Sequence, residues 1–184
     1  MSTSGETGAR LLLAAFLCYN SLARMHGSTL MTDPLLETWQ INARVVLYTL
    51  DAVDEAVFAL PAPAKGRSAP QMFAHIHDVR EHLRLESGKA LPDGVAKLGK
   101  QDRYDRETLR AALESSGQGI EAMVGSALAA GKRISGFKPH TPAFVGYLIS
   151  HEGYHLGEIG VALREAGHPL DRKAAFGMWE WGVR

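Results

Sequence analysis

The chain has 184 residues, a length that favours one domain over two. Hydrophobic residues make up 46% and charged residues 22% of the sequence, which excludes a disordered or fibrous chain. The 20 Lys and Arg residues balance the 20 Asp and Glu residues, so the basic excess typical of nucleic-acid-binding domains is missing. The single Cys18 excludes an intrachain disulfide and indicates a reducing, cytoplasmic setting. With 8 histidines present, imidazole and carboxylate are the groups available to bind a transition metal.

The first thirty residues contain one apolar run, at positions 11–18. It is far shorter than the roughly 20 residues that span a bilayer, and its flanks fit neither a secretory nor a lipoprotein signal. We therefore expect no membrane partner. We interpret residues 1–30 as an N-terminal extension, either an extra helix or the product of a misassigned start, and residues 31–184 as the functional domain.

Four amphipathic helices are predicted in chain order, and the first has a clear start. Asp33 and Pro34 supply an N-cap and a proline at the first helical position. Apolar residues then recur at steps of three and four from Leu36 to Val57, and Pro61 ends the pattern. This spacing predicts one long helix with a single apolar face.

The second predicted helix begins at Ser68 and ends at Gly88. Residues 89–104 contain a Pro-Asp-Gly turn and many charges, so we expect a surface connection there. The third helix is predicted from Asp105 to Gly131, and its two interior glycines are each expected to cost about 1 kcal/mol relative to alanine.

The fourth predicted helix starts with Thr141 as the cap, followed by Pro142, and ends at Gly167. The aromatic-rich tail after it should pack back as a partial helix, with its two tryptophans sealing one end of the core. No stretch alternates like a strand, although residues 132–138 could pair briefly. Four long amphipathic helices predict an all-α protein, a four-helix bundle with a short C-terminal helical tail.

The fourth helix carries His151 and His155, four residues apart. Residues at this spacing lie on one face of a helix, one turn apart, and the apolar Leu148 and Ile159 share that face. Two imidazoles that point into a bundle need polar partners, because burying them unpaired costs several kcal/mol. A shared metal ion would satisfy both rings. The alternative is a pair of ordinary core histidines bonded to carbonyls and water.

A catalytic metal site usually has three protein ligands and an open position. The second helix offers His75, His77 and His82. His75 belongs to the apolar stripe that contains Met72 and Val79, whereas His77 is rotated by about 200° from it. We therefore prefer His75 as the third ligand and expect His77 and His82 at the solvated surface.

The residues from His151 to His155 also match H-E-x-x-H, the zinc-protease signature in which Glu152 would act as general base. A protease of that class needs a further downstream ligand and a substrate-binding sheet, and no sheet is predicted here. We therefore favour the bundle. The match still makes Glu152 a candidate general base beside the open metal position, with a solvated carboxylate as the alternative.

Two stretches of the sequence resemble motifs of the DinB/YfiT-like superfamily. Residues 68–76 are similar to its second-helix histidine motif. Residues 151–159 and 163–170 are similar to its fourth-helix pattern, H-x-x-x-H-x-G-Q-I followed by L-R-x-x-G. The resemblance covers residues 31–184, and Glu158 stands where the pattern has glutamine.

This resemblance implies an up-down-down-up bundle in which His75, His151 and His155 hold a divalent metal. Zn²⁺ is the expected ion, with Ni²⁺, Mn²⁺ or Fe²⁺ as alternatives, since all-imidazole sites discriminate poorly. Family members are often dimers, so the resemblance also implies a homodimer.

The resemblance also suggests the kind of reaction. Members with assigned activities include S-transferases that use low-molecular-weight thiols, a thiol-dependent isomerase and proposed metal-dependent hydrolases. We therefore expect a metal-dependent thiol S-transferase acting on small electrophiles. A metal-dependent hydrolase that uses water is the second interpretation, and a non-catalytic dimeric bundle with a structural metal or none is the third.

Overall fold

The computed structural model describes residues 33–88 and 97–184, and residues 34–184 form one compact unit. Every regular element in these ranges is helical, which confirms the predicted all-α fold, and no helix there is long and apolar enough to cross a membrane. The predicted extension 1–30 lies outside the described residues. The four long helices are α1 (Pro34–Asp51), α2 (Ala69–Glu86), α3 (Arg106–Ala129) and α4 (Thr141–Glu165).

Three shorter helical segments complete the described chain. They are a single turn after α1 (Ala56–Ala59), a C-terminal helix (Arg172–Gly177) and a final 3-10 turn (Trp181–Val183). The predicted partial helix in the tail is therefore present. Trp179, however, is 78% exposed, so the expectation that both tryptophans seal the core is wrong.

The first helix ends earlier than its apolar spacing predicts. α1 stops at Asp51, and the chain bends before the next helical turn. The cause lies in α3, where the guanidinium group of Arg106 donates to three carbonyls, those of Leu50 (2.7 Å), Asp51 (3.0 Å) and Val53 (2.6 Å). Carbonyls at a helix end have no partner within the helix. An arginine that is distant in sequence therefore determines where α1 ends.

The starts of the other helices follow their local sequence. Ser68 and Gln71 form a reciprocal capping box at α2, and Asp105 caps α3 by accepting a backbone N–H of the first turn. At α4 the cap is His140 rather than the predicted Thr141. The hydroxyl of Thr141 donates instead to a carbonyl of the preceding loop.

Contacts between α1 and α3 show that these two helices are antiparallel. Near the start of α1, the indole nitrogen of Trp39 donates to the carbonyl of Gly117 in the middle of α3, at 3.0 Å. At the end of α1, Asp51 pairs with Arg110 in the first turns of α3.

Helices α2 and α3 run parallel. His77 lies 2.9 Å from the carbonyl of Ala112, and the later residue Ser87 contacts the later residue Met123. Helix α4 is antiparallel to α2, because residues 75 and 80 of α2 meet residues 155 and 152 of α4, respectively. These directions give the up-down-down-up order that the resemblance implied.

A polar layer crosses the middle of the bundle, with one buried side chain from each long helix. Its members are at most 3% exposed: Asn42, Arg80, Ser116 and Glu152. On every helix, the polar residue falls between the apolar residues of two separate core clusters. The core is therefore divided in two. Within the polar layer, Asn42 and Arg80 both donate to Glu152, and Arg80 also donates to the carbonyl of Leu113 on α3.

Candidate metal centre

Three histidines from two antiparallel helices meet beside the polar layer. His75 comes from α2, whereas His151 and His155 come from α4, and one ring nitrogen of each lies within 4.8 Å of the others. The Nε2 atoms of His151 and His155 are 3.1 Å apart. The ring centroid of His75 is 4.7 Å from that of His155 and 5.7 Å from that of His151. The structure thus brings together the three residues that were selected from sequence.

The register of α2 against α4 explains this meeting. Arg80 pairs with Glu152, directly after His151, and fixes the two helices against each other. Because the helices are antiparallel, going back from Arg80 to His75 on α2 and forward from Glu152 to His155 on α4 leads to the same end of the helix pair. The i, i+4 spacing then places both α4 rings opposite His75.

The separation of the two Nε2 atoms on α4 is compatible with one divalent cation. Two nitrogens bound to one ion at about 2.0–2.1 Å lie about 3 Å apart, close to the separation of the two Nε2 atoms. The Nδ1 atom of His151 is buried and has no hydrogen-bond partner within the described residues. Three imidazoles form a donor set that suits Zn²⁺ and its neighbours in the first transition row. The described cluster is therefore compatible with a metal site.

The protonation states also fit a ligand role. Burial is the main cause that lowers the pKa of His75 to about 4, and the positive charge of Arg67 and the two other histidines add to it. Burial also lowers the pKa of His151, with a further contribution from His155. Both rings are therefore neutral near pH 7, which leaves a lone pair available for a metal.

Glu158 orients the ring of His155. Its Oε2 atom lies 2.7 Å from Nδ1 of His155, so a proton on Nδ1 is donated to the carboxylate and the lone pair of Nε2 faces the cluster. Burial alone would raise the pKa of Glu158, but hydrogen bonds with His155 and Tyr154 lower it overall. The residue that replaces the usual glutamine is thus an ionised hydrogen-bond acceptor.

Glu152, the predicted general base, has different surroundings. Its Oε1 accepts from Nε of Arg80 at 2.7 Å, and its Oε2 accepts from Nη2 of Arg80 at 2.8 Å and from Nδ2 of Asn42 at 2.6 Å. The side chain has no exposed surface, which also excludes the solvated alternative. A carboxylate that is buried and held by a cation is unsuited to take a proton from a substrate. The surroundings of Glu152 therefore do not favour a general-base role.

The other two histidines of α2 differ in their exposure to solvent. His82 is exposed, as expected, but His77 is only 1% exposed and its Nδ1 lies 2.9 Å from the carbonyl of Ala112 on α3. The expected surface position of His77 is therefore wrong. Because α2 packs against α3 on one side and α4 on another, its buried face is wider than one apolar stripe.

Two cavities open beside the histidine cluster. The first has a volume of about 300 Å³ and is lined by His75, Arg67 and Lys100, among others. The second has a volume of about 490 Å³, has a mostly apolar wall and reaches Glu158. Arg67 contributes to both walls. Both volumes are in the range of small-molecule sites.

Sequence reasoning missed three residues of this region. Arg80 follows Met72 and Ile76 at the same four-residue spacing, so the sequence places a charged residue on a buried stripe. A buried charge needs a partner of opposite charge, and this could have pointed to Glu152. Arg67 and Lys100 had no such signal, because they lie in loops that only the fold brings to His75.

Fold and site together define a class of protein: an up-down-down-up helical bundle with a three-histidine cluster between its second and fourth helices. In the comparisons with known proteins, the model of the DinB family matches residues 25–172. The chain belongs to the DinB family, which confirms the resemblance seen in the sequence. Neither the comparison with curated proteins nor the comparison with solved structures found a match.

Proposed function

We propose that this chain is a metal-dependent enzyme that holds one divalent cation with His75, His151 and His155. The observation that carries the proposal is the convergence of three imidazoles, with two Nε2 atoms 3.1 Å apart, next to two cavities. A cation bound there would lower the pKa of a coordinated thiol or water and polarise a substrate. Zn²⁺ is the default ion, and Ni²⁺, Mn²⁺ and Fe²⁺ are the alternatives.

The reaction that we favour is the transfer of a low-molecular-weight thiol to a small electrophile. This reaction needs space for two reactants. Two cavities that share Arg67 in their walls are available for them, one at His75 and the other at Glu158. The thiol sulfur forms a bond to an electrophilic carbon, the leaving group departs with the bonding electrons, and the thiol proton passes to solvent. Glu158 keeps the ring of His155 in the tautomer that the site requires.

Two other functions are consistent with the same cluster. Hydrolysis of a small molecule by water would need only one organic substrate, and the cavity at His75 is large enough for it. A non-catalytic bundle would use the metal only for stability, or would hold none. Cytoplasmic location, like these alternatives, stays a prediction.

Metal content tests the ligand assignment. We expect His75→Ala and His155→Ala to lose most of the bound metal, measured by plasma mass spectrometry, while the melting temperature changes little. His82→Ala is the matched control, because this histidine is exposed on the same helix, and it should keep its metal. Unchanged metal in both cluster variants would contradict the assignment. Loss of the fold together with the metal would indicate a structural ion.

Activity separates transferase from hydrolase. The metal-loaded protein should consume a generic electrophile in the presence of a small thiol, and His155→Ala should not. Thiol-independent consumption of the substrate would favour hydrolysis. No turnover in either assay, with the metal bound, would favour the non-catalytic bundle.

We also propose a homodimer. Three exposed apolar side chains lie seven residues apart along α4, namely Tyr147, Tyr154 and Val161. Positions seven apart fall on nearly the same line of a helix, so these side chains form a stripe suited to a second copy. Sedimentation should show a species of twice the 20.0 kDa chain mass, whereas a single-chain mass would contradict the dimer.

A further inference from the structure

The smaller cavity lies between the start of α2 and the segment that leads into α3. Several polar side chains in its wall are already bonded to the wall itself. Gln71 accepts from the backbone of Ser68 at 2.9 Å and donates to the carbonyl of Gln101 at 2.9 Å. The hydroxyl of Tyr104 donates to the carbonyl of Gly99. These groups build the cavity and are not available for a ligand.

The only acidic residue in this wall, Asp78, is also engaged. Its two carboxylate oxygens accept from the backbone N–H groups of Leu98 at 2.7 Å and of Gly99 at 3.0 Å. These bonds hold the segment before α3 against α2. Asp78 therefore stabilises the wall and makes no ion pair with a cation of the cavity.

Two cations remain in the wall, Arg67 and Lys100. Both side chains are exposed, and neither makes a hydrogen bond or ion pair with another residue in the ranges 33–88 and 97–184. Arg67 lines this cavity together with His75 and also lines the neighbouring cavity that reaches Glu158, so its side chain lies close to the histidine cluster. The cavity therefore presents unpaired positive charge next to His75.

We propose that this cavity binds the anionic group, a carboxylate or a phosphate, of a small-molecule substrate, with Arg67 and Lys100 as its binding residues. The planar guanidinium of Arg67 can donate two parallel hydrogen bonds to either anion, and Lys100 adds a point charge. When the anionic group of the substrate is bound there, the rest of the substrate lies next to His75. The inference rests on the proposed function in one respect: the bound anion is assumed to be part of the substrate of the metal centre.

Titration calorimetry on the full metal-free chain tests the binding residues. The probes are succinate, inorganic phosphate and the uncharged succinamide. We expect at least one of the two anions to bind saturably and succinamide not to bind. Arg67→Met and Lys100→Met should each weaken that binding by about tenfold or more, since a charge-assisted hydrogen bond is lost. Lys97→Met and Arg103→Met are matched controls that remove a nearby exposed charge outside this wall, and they should bind within about twofold of the unmodified chain.

Each outcome has a defined meaning. Binding of succinate alone identifies a carboxylate site, and binding of phosphate alone identifies a phosphate site. If neither anion binds, if succinamide binds equally well, or if the cavity variants bind like the controls, the proposal is overturned. Metal content is measured on each preparation before the metal is removed for calorimetry, so failure of the metal centre is detected separately from failure of the anion site.

Discussion

Arg80 on α2 and Glu152 on α4 form a two-bond ion pair in the centre of the bundle, with N–O distances of 2.7 and 2.8 Å. Neither side chain is more than 1% exposed. The guanidinium group also lies 5.0 Å from the ring centroid of Trp39, and Asn42 donates to the same carboxylate. This pair connects the two helices that carry the histidine cluster.

Removing one partner of this pair should destabilise the fold. Glu152→Gln leaves the charge of Arg80 buried without its counter-charge, so we expect the free energy of unfolding to fall by about 3–5 kcal/mol. Urea unfolding of the metal-free chain measures it. The control is Glu114→Gln, which breaks the half-exposed pair with Arg110 and should change stability by less than about 1 kcal/mol. Equal losses in both variants would show that the buried pair is not a main support of the fold.

A second prediction concerns an interior glycine of α3. A Cβ at Gly119 would lie 2.5–2.7 Å from the guanidinium group of Arg84, which is itself buried and paired with Glu81. Gly119→Ala must displace this pair, so we expect a loss of about 1–3 kcal/mol in spite of the better helix propensity.

The matched control for this glycine is Gly146→Ala on α4. A Cβ at Gly146 meets no atom within 4 Å, so the alanine should stabilise the helix by about 0.5–1 kcal/mol. Thermal unfolding of both variants gives the comparison. A stabilised Gly119→Ala would mean that Arg84 moves aside without loss.

A third prediction concerns the carboxylate that bonds to His155. Glu158→Ala removes the acceptor of the Nδ1 proton, so we expect metal affinity to fall by about tenfold or more in a chelator competition assay. Glu158→Gln keeps an acceptor oxygen and should lose less. Glu165→Ala, which removes an exposed carboxylate further along α4, should leave the affinity unchanged. A loss of the same size in all three variants would indicate a general charge effect instead.

A fourth prediction is a pH dependence of the metal-free protein. The ring of His75 binds a proton near pH 6.5 in the unfolded chain but only near pH 4 in the folded one, chiefly because folding buries it. Between these values the unfolded state binds more protons, so stability is highest above pH 6.5 and falls as the pH drops towards 4. Urea unfolding at several pH values measures this slope. His75→Gln should reduce it, and an unchanged slope would show that other groups cause the pH dependence.

Local sequence was sufficient for much of the architecture. The starts of α2 and α3 follow from Ser68 and Asp105, because a cap bonds only to the first turn of its own helix. The pairing of His151 with His155 follows in the same way from helical periodicity. His75 could also be predicted as the third ligand, because it belongs to the apolar stripe of α2 that contains Met72 and Val79. These features depend on residues within a few positions of one another, which is why the sequence predicts them.

Tertiary structure decided the features that depend on distant partners. The end of α1 is determined by Arg106 of α3, and His77 is buried because α2 has two neighbours. The sequence makes Glu152 a candidate general base, but only the fold sets Arg80 opposite its carboxylate. Arg67 and Lys100 lie more than thirty residues apart in the chain and share one cavity wall. Helical periodicity sets the face on which a side chain lies, but only packing between helices sets what that face meets.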